Sequence, residues 1–269
     1  MKNTCQSIVL ALALSTSLVP FTHAADPVPV TGDKSSDSTY EFERGFPAAD
    51  TAQKGYDDVD LNRAIEAYRF FYPTVSGSAI FKGNAKLGII PNKVFGTLDS
   101  QPKHVGFTLN SDTPYAPLLF DLAQGPMVVE LPPGPLICIA MDINQLWVAD
   151  LGLPGPAAGK GDKVVFLPPG YQGKPPAGYR VEKSPSNKML IGVCSLPVNG
   201  DVPGAIARIK TVKVYPLKRV SGWPAVTWLD LIPSPQDTSP LAWENNMQYW
   251  RELSQVINTD PANPRFHTM

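Results

Sequence analysis

Hydrophobic and polar positions change rhythm three times along the chain. Residues 8–19 read IVLALALSTSLV, an apolar run behind Lys2 and ahead of Thr22, His23 and Ala24. The run is too short to cross a bilayer, and a basic start followed by a small-residue site makes it a signal peptide. Cleavage is expected after Ala24, giving a leader over 1–24 and a periplasmic or secreted mature chain without a membrane span. Residues 25–57 are polar and turn-rich and predict an extended lead-in. Then Leu61, Ala64, Ile65, Tyr68 and Phe71 or Tyr72 recur at helical spacing, with Asp58 or Asp60 as cap. Pro73, lacking an amide hydrogen, predicts a stop or kink. Gly77 and Gly83 weaken a second helical stretch over 76–84.

From about residue 104 the pattern becomes short strands between turns: VGFTL, PLLFDL, MVVEL, LICIAMDI, KVVFL, YRVEK, KMLIGV and VKVYP. Several are apolar on both faces, as in Ile137, Ile139, Met141 and Ile143 against Cys138 and Ala140, which predicts the interior of a packed sheet. DVPGAIARI, at 201–209, holds a short helix. Ser239 and Pro240 suit the start of a last helix through Ile257, with Trp243, Met247, Trp250, Leu253 and Ile257 as one apolar stripe. Such a stripe covers the domain's own core or meets a partner, either a second copy or another envelope protein, through Trp243, Met247 and Trp250. The expected fold is mainly β, a β-sandwich or jelly-roll with N-terminal helices and a C-terminal amphipathic helix, α+β by content. Residues 218–269 are expected to supply a linker, helix and tail.

Composition narrows the function. The 29 prolines among 269 residues disfavour a helical bundle. The formal charge is −1, and −2 once Lys2 is lost, so no field gathers nucleic acid or anionic membrane. After cleavage only Cys138, Cys194, His104 and His267 remain of the cysteines and histidines. That set disfavours zinc, and no G-x-S-x-G elbow accompanies His104, so no metal or cofactor is expected. His104 reads as a packed strand residue. Cys138 and Cys194 sit in strand-like runs and form a disulfide if those strands are neighbours, or stay separately buried thiols.

Two constellations carry candidate chemistry. Asn110, Asp112, Thr113 and Tyr115 gather compact polar groups and a phenol at a strand-to-turn junction, suited to a small polar ligand. The simpler reading is a turn in which Asp112 caps its own backbone and Pro114 fixes the bend. Asp142 and Asp150 flank Trp147. With Asp112 and Tyr115, Asp142 offers a carboxylate-assisted hydrolase or lyase if the groups converge. Gly155 to Gly161 is not a phosphate loop, because Gly161 stands where a Ser or Thr would hold magnesium. Trp223 and Trp228 either stack a sugar or pack a linker onto the domain.

The N-S-D-T-P-Y stretch at 110–115 resembles the N-x-D-T-x-Y signature of the domain of unknown function 1254 family. The likeness continues through Asp121-Leu122 with Gly125-Pro126, the LWVADLGLPGP run at 146–156, LPPGY at 167–171, Ser184-Pro185-Ser186 and VYPL at 214–217. The resemblance implies an exported bacterial protein, helices ahead of a β-sandwich, and an oligomer, but no reaction. Members usually carry an arginine where this chain has Cys194. The resemblance covers residues 58–217. Many members continue into a second domain of unknown function 1214, which this chain is expected to lack, having half of any shared cleft or borrowing the rest from another chain.

Overall fold

In the strand Leu136–Asp142, residues 136, 138, 140 and 142 are buried while Ile137 and Ile139 are each 39% exposed. A strand turns successive side chains to opposite faces, so this alternation separates a core face from an open one. The rest of the architecture follows from where that core face points. The computed structural model describes residues 40–99, 101–106, 109–175, 177–218, 223–240 and 246–266 of the 269. The expected leader, Trp243 and His267 lie outside the described residues.

The chain divides into two units, Met1–Val59 and Asp60–Met269. In the first, β1 (Phe42–Glu43) pairs antiparallel with β2 (Phe46–Pro47) through Arg44 and Gly45, both at positive φ as a two-residue hairpin requires. Here α1 (Ala49–Lys86) also opens. It starts well ahead of Asp58, because Thr51 accepts the Glu41 amide and Lys54 pairs with Asp58 one turn on.

In the second unit α1 continues past Pro73, so of the stop or kink expected there the stop does not occur. The Pro73 carbonyl takes two side-chain donors, Gln145 from outside the helix at 2.8 Å and Ser76 from the next turn of the helix at 3.0 Å. Gly77 and Gly83 are points of close approach rather than weak points. A Cβ on Gly77 would run into the Ile143 carbonyl, and one on Gly83 would sit 2.6 Å from Pro240 and 2.8 Å from the Thr238 carbonyl.

The strands follow in order: β3 (Val94–Thr97), β4 (Tyr115–Asp121), β5 (Met127–Leu131), β6 (Leu136–Asp142), β7 (Trp147–Gly152), β8 (Asp162–Leu167), β9 (Arg180–Lys183) and β10 (Lys188–Ser195). After α2 (Val202–Ile209), which Asp201 caps through the Gly204 amide, come β11 (Lys213–Pro216), β12 (Thr227–Asp230) and α3 (Gln248–Ile257). One sheet, antiparallel throughout, has the order β4-β10-β6-β7; the other has the order β11-β5-β8-β9 and is mixed, because β8 and β9 run parallel. Phe120, Met189, Cys138 and Leu151 of the first sheet share one core with Met127, Val129, Val164 and Phe166 of the second. The fold is therefore a β-sandwich with helices added. A parallel pair, β3 with β12, packs through Leu98 and Leu231 over Leu119 on the back of the first sheet. Trp223 and Trp228 pack onto the core, as a linker reading expects.

The last helix begins at Gln248, and Ser239 and Pro240 are not helical. Its buried face is Tyr249, Glu252, Leu253 and Val256, one step round from the expected stripe. Tyr249 and Leu253 pack on Val75 and Ala79 of α1, with Tyr68, Tyr72 and Trp250 around them. Met247 and Ile257 remain exposed. Lys82 of α1 closes on Glu252 of α3 as an ion pair.

Gly77→Ala tests the close approach of α1 to the β6–β7 turn. Helix propensity alone favours alanine by ~1 kcal/mol. The clash is expected to reverse the sign and cost about 1–3 kcal/mol, seen as a lower thermal midpoint. A higher midpoint would show that the backbones do not meet there.

Candidate functional site

The N-x-D-T-x-Y corner is built by Asn110 rather than Asp112. Asn110 Oδ1 accepts from the Asp112 amide at 2.8 Å, the Thr113 amide at 3.0 Å and Thr113 Oγ1 at 3.2 Å. Asp112 itself is exposed, and among the described residues its carboxylate takes only the Ser111 hydroxyl, at 3.3 Å. An asparagine closing the turn over its own backbone leaves the aspartate pointing to solvent. Tyr115 opens β4 and its hydroxyl accepts the Asn110 amide at 3.2 Å. Cys194 lies opposite Tyr115 in the register and contacts both Tyr115 and Thr113. Burial pushes the Cys194 thiol and the Tyr115 phenol upward, so neither is poised as an anion.

The two cysteines are free. Their strands are neighbours, but Cys138 pairs with Val193 and Cys194 pairs with Ile137. Directly paired residues share a face, so the two thiols point to opposite sides of the sheet and, of the two alternatives, they are separate rather than bridged. Cys138 is fully enclosed in the core, and burial pushes its thiol up to about 12.

The same argument divides the carboxylates. Asp142 pairs with Met189 and faces inward, 2% exposed. Asp150 pairs with Ile139 and faces outward. A bulge between Ala140 and Met141 inserts Val148 into the core side and turns Trp147 outward, opposite Met141. Tyr115 and Asp142 thus lie on opposite faces, and the convergence required for a carboxylate-assisted hydrolase or lyase is absent. Tyr115 and Asp150 share the outer face but stand on its two edge strands, about 14 Å apart at the usual strand spacing.

Asp142 has a positioning role instead. Its Oδ1 accepts the Leu146 amide at 2.9 Å, and its Oδ2 accepts the side-chain amides of Asn144 at 3.2 Å and Asn263 at 3.3 Å. Thr74 of α1 donates to Asn144 Oδ1 at 2.7 Å. One buried carboxylate therefore ties the β6–β7 turn to the C-terminal tail, and Asn144 links the turn to α1. These three elements enclose a cleft of about 1030 Å³, walled by Phe70, Phe71, Ile143, Leu146, Val256 and Phe266. Phe70 meets Phe71 edge-on at 4.7 Å and Phe266 at 5.2 Å. Asp260 also lines it, with its carboxylate accepting the backbone amides of Asn187 and Lys188. The cleft was not legible in the sequence because its walls come from opposite ends of the chain, as with Phe70 and Phe266.

A second set of groups lies away from the cleft lining. His104 is buried, with Nε2 2.7 Å from Asp99 Oδ1, and its Nδ1 has no partner among the described residues. It is the hydrogen-bonded, packed histidine that its surroundings in sequence suggest. On the back of the second sheet, Tyr215 and Lys163 both bond Glu130 and hold its carboxyl below the usual range.

The outer face of the first sheet is the other unusual surface. Its rows, read across β4, β10, β6 and β7, are Tyr115, Cys194, Ile137, Gly152; then Pro117, Gly192, Ile139, Asp150; then Leu119, Leu190, Met141, Trp147. The residues around β3 and β12 cover Leu119, and Leu190 and Tyr115 pack partly buried against the same cluster. Trp147 is 63% exposed, and Ile137 and Ile139 are open.

Two predictions follow from the carboxylates. Asp142→Ala leaves three donors without their acceptor and is expected to cost about 3 kcal/mol, or roughly 6–12 °C in thermal midpoint. Burial raises Asp260 above its ordinary value of 3.8. A raised folded-state value means stability is fully present below the unfolded pKa and is lost as pH rises through the folded one. Asp260→Asn is therefore expected to flatten the fall in stability just above pH 3.8, measured by urea unfolding at stepped pH.

Residues 94–216 match the family model described as "Protein of unknown function (DUF1254)". No curated protein matches the chain. Among solved structures the chain is similar to the crystal structure of the VPA0106 protein from Vibrio parahaemolyticus, at 19% identity and a TM-score of 0.51. The similarity covers 72% of this chain and 46% of that one, so the chain spans less than half of that protein's length. At this identity the likeness concerns the fold alone. From β3 to β11, which takes in both sheets of the sandwich, the chain thus matches the family of unknown function 1254, the one that its N-x-D-T-x-Y corner resembles.

Proposed function

We propose that the protein is an exported, periplasmic β-sandwich binding module that assembles through the outer face of its first sheet. The observation that carries the reading is the apolar, open row structure of that face. A solvated sheet face normally alternates to polar residues, and here Ile137, Ile139, Met141 and Trp147 take those positions. Gly192 stands at its centre, and a Cβ there would meet only Ile139, at 3.7 Å. The chain's own packing does not require glycine at that point, and a bare backbone lets a partner approach closely. The bulge that sends Trp147 outward adds a large aromatic anchor at the rim.

A second copy of this chain is the partner the surface favours. Asp150 is the one ionisable carboxylate in the three rows, so an apolar face can meet its own image with little charge to compensate. Trp250, earlier a candidate for contact, packs within the chain's own helix pair, so assembly does not depend on it.

Light scattering after size exclusion tests the reading on the mature chain. The expected result is a mass twice that of the monomer at micromolar concentration, with Ile139→Lys returning the monomer and leaving the circular dichroism unchanged. A monomer at every concentration would contradict it. Export is tested separately: the protein recovered from the periplasm should begin at Ala25, and an uncut precursor retained in the cytoplasm would remove that part.

A further inference from the structure

The cleft between α1, the β6–β7 turn and the C-terminal tail draws on none of the open-face residues that carry the assembly proposal, and its chemistry selects a ligand. Its volume of about 1030 Å³ lies at the upper end of small-molecule sites, which run to ~1,000 Å³. The walls are aromatic and aliphatic. The polar groups at its base are already engaged. Asn144 and Asn263 donate to Asp142, and Asp260 is held by the amides of Asn187 and Lys188. The base therefore offers an apolar body little reason to hydrate and a polar one few open partners.

The rim differs. Arg63, Glu66 and Arg69 follow at three-residue intervals along the cleft side of α1. Arg63 makes an exposed pair with Asp60 at 3.4 Å. Neither Glu66 nor Arg69 makes an ion pair among the described residues, so one charge of each sign is uncommitted at the mouth. An anionic head would meet Glu66 and a cationic one would meet Arg69. A head carrying both charges satisfies both.

We propose that the cleft binds a single-chain amphiphile with a zwitterionic phosphocholine-type head, the chain against Phe70, Phe71 and Phe266 and the head between Arg69 and Glu66. The phosphate faces the guanidinium and the ammonium faces the carboxylate. No bond is made or broken.

Calorimetric titration of the mature chain tests this, with dodecylphosphocholine below its micelle concentration as probe. Free phosphocholine and uncharged dodecyl maltoside serve as the other arms. The expected result is saturable one-to-one binding of dodecylphosphocholine and none of free phosphocholine. Arg69→Gln should weaken the zwitterion about threefold to fivefold, the size of an exposed charge pair, and leave dodecyl maltoside unchanged. Ala67→Trp, which fills the cleft from α1, should abolish binding of both alkyl probes; Phe70→Asp replaces it if that variant does not fold. Equal affinity for dodecyl maltoside and dodecylphosphocholine would overturn the head assignment. Binding that survives a folded cleft-filling variant, or no saturable binding at all, would overturn the site.

Discussion

Two sheets held together by one dry layer of side chains set every other feature of this molecule. That layer takes Leu136, Cys138, Ala140 from β6 and Met189, Ile191, Val193 from β10, all fully buried, against Val129, Val164 and Phe166 of the opposite sheet. Area burial of this kind is the main favourable term in folding. Once these residues face inward, the period of two leaves their neighbours no choice. Ile137, Ile139, Gly192 and Cys194 must face out, and a slip of one residue would put the whole set on the wrong side. Asp142 is the exception within the layer. It ends the inward row of β6 at the sheet margin, where a carboxylate is acceptable because three donors meet it.

Much of this was legible in the chain. The strands from PLLFDL to VKVYP fall where alternation and turn residues put them, and the short helix after Asp201 is capped as its sequence suggests. Three features were not. β7 reads as part of a glycine-rich connection, because WVADLG departs from alternation at the bulge that places Val148 and Ala149 on the same side. α1 reads as stopped or kinked at Pro73, yet the helix runs on through it, with Gln145 donating to the Pro73 carbonyl from 72 positions away. β3 and β12 are four-residue strands whose pairing is parallel and distant, from Val94 to Asp230. For α1 and for the β3–β12 pair a contact far along the chain accompanies the departure from the local preference, and for β7 the bulge against its neighbour β6 does.

The candidate chemistry divides in the same way. Sequence proximity gathered Asn110, Asp112, Thr113 and Tyr115 correctly into one corner, since a turn is a local object. It gathered Asp142, Trp147 and Asp150 wrongly, since face and register are not local. The corner packs Tyr115 and Thr113 against Cys194, the position at which relatives were expected to hold arginine, and the contact is one of packing and hydrogen bonds rather than charge. What the chain does place together at long range is the cleft, where α1 and the tail meet through Phe70 and Phe266.

The assembly account rests on the outward face of β6 and β10 being covered by another protein surface. The cysteines allow that to be read residue by residue. Cys194 sits on the outer face beside Ile137, whereas Cys138 is enclosed in the core and serves as an internal control. Peptide mapping after brief iodoacetamide treatment gives the alkylation rate of each. The account predicts that Cys194 reacts faster as the protein is diluted from high to low concentration, while Cys138 stays unmodified throughout. A Cys194 rate independent of concentration would contradict it.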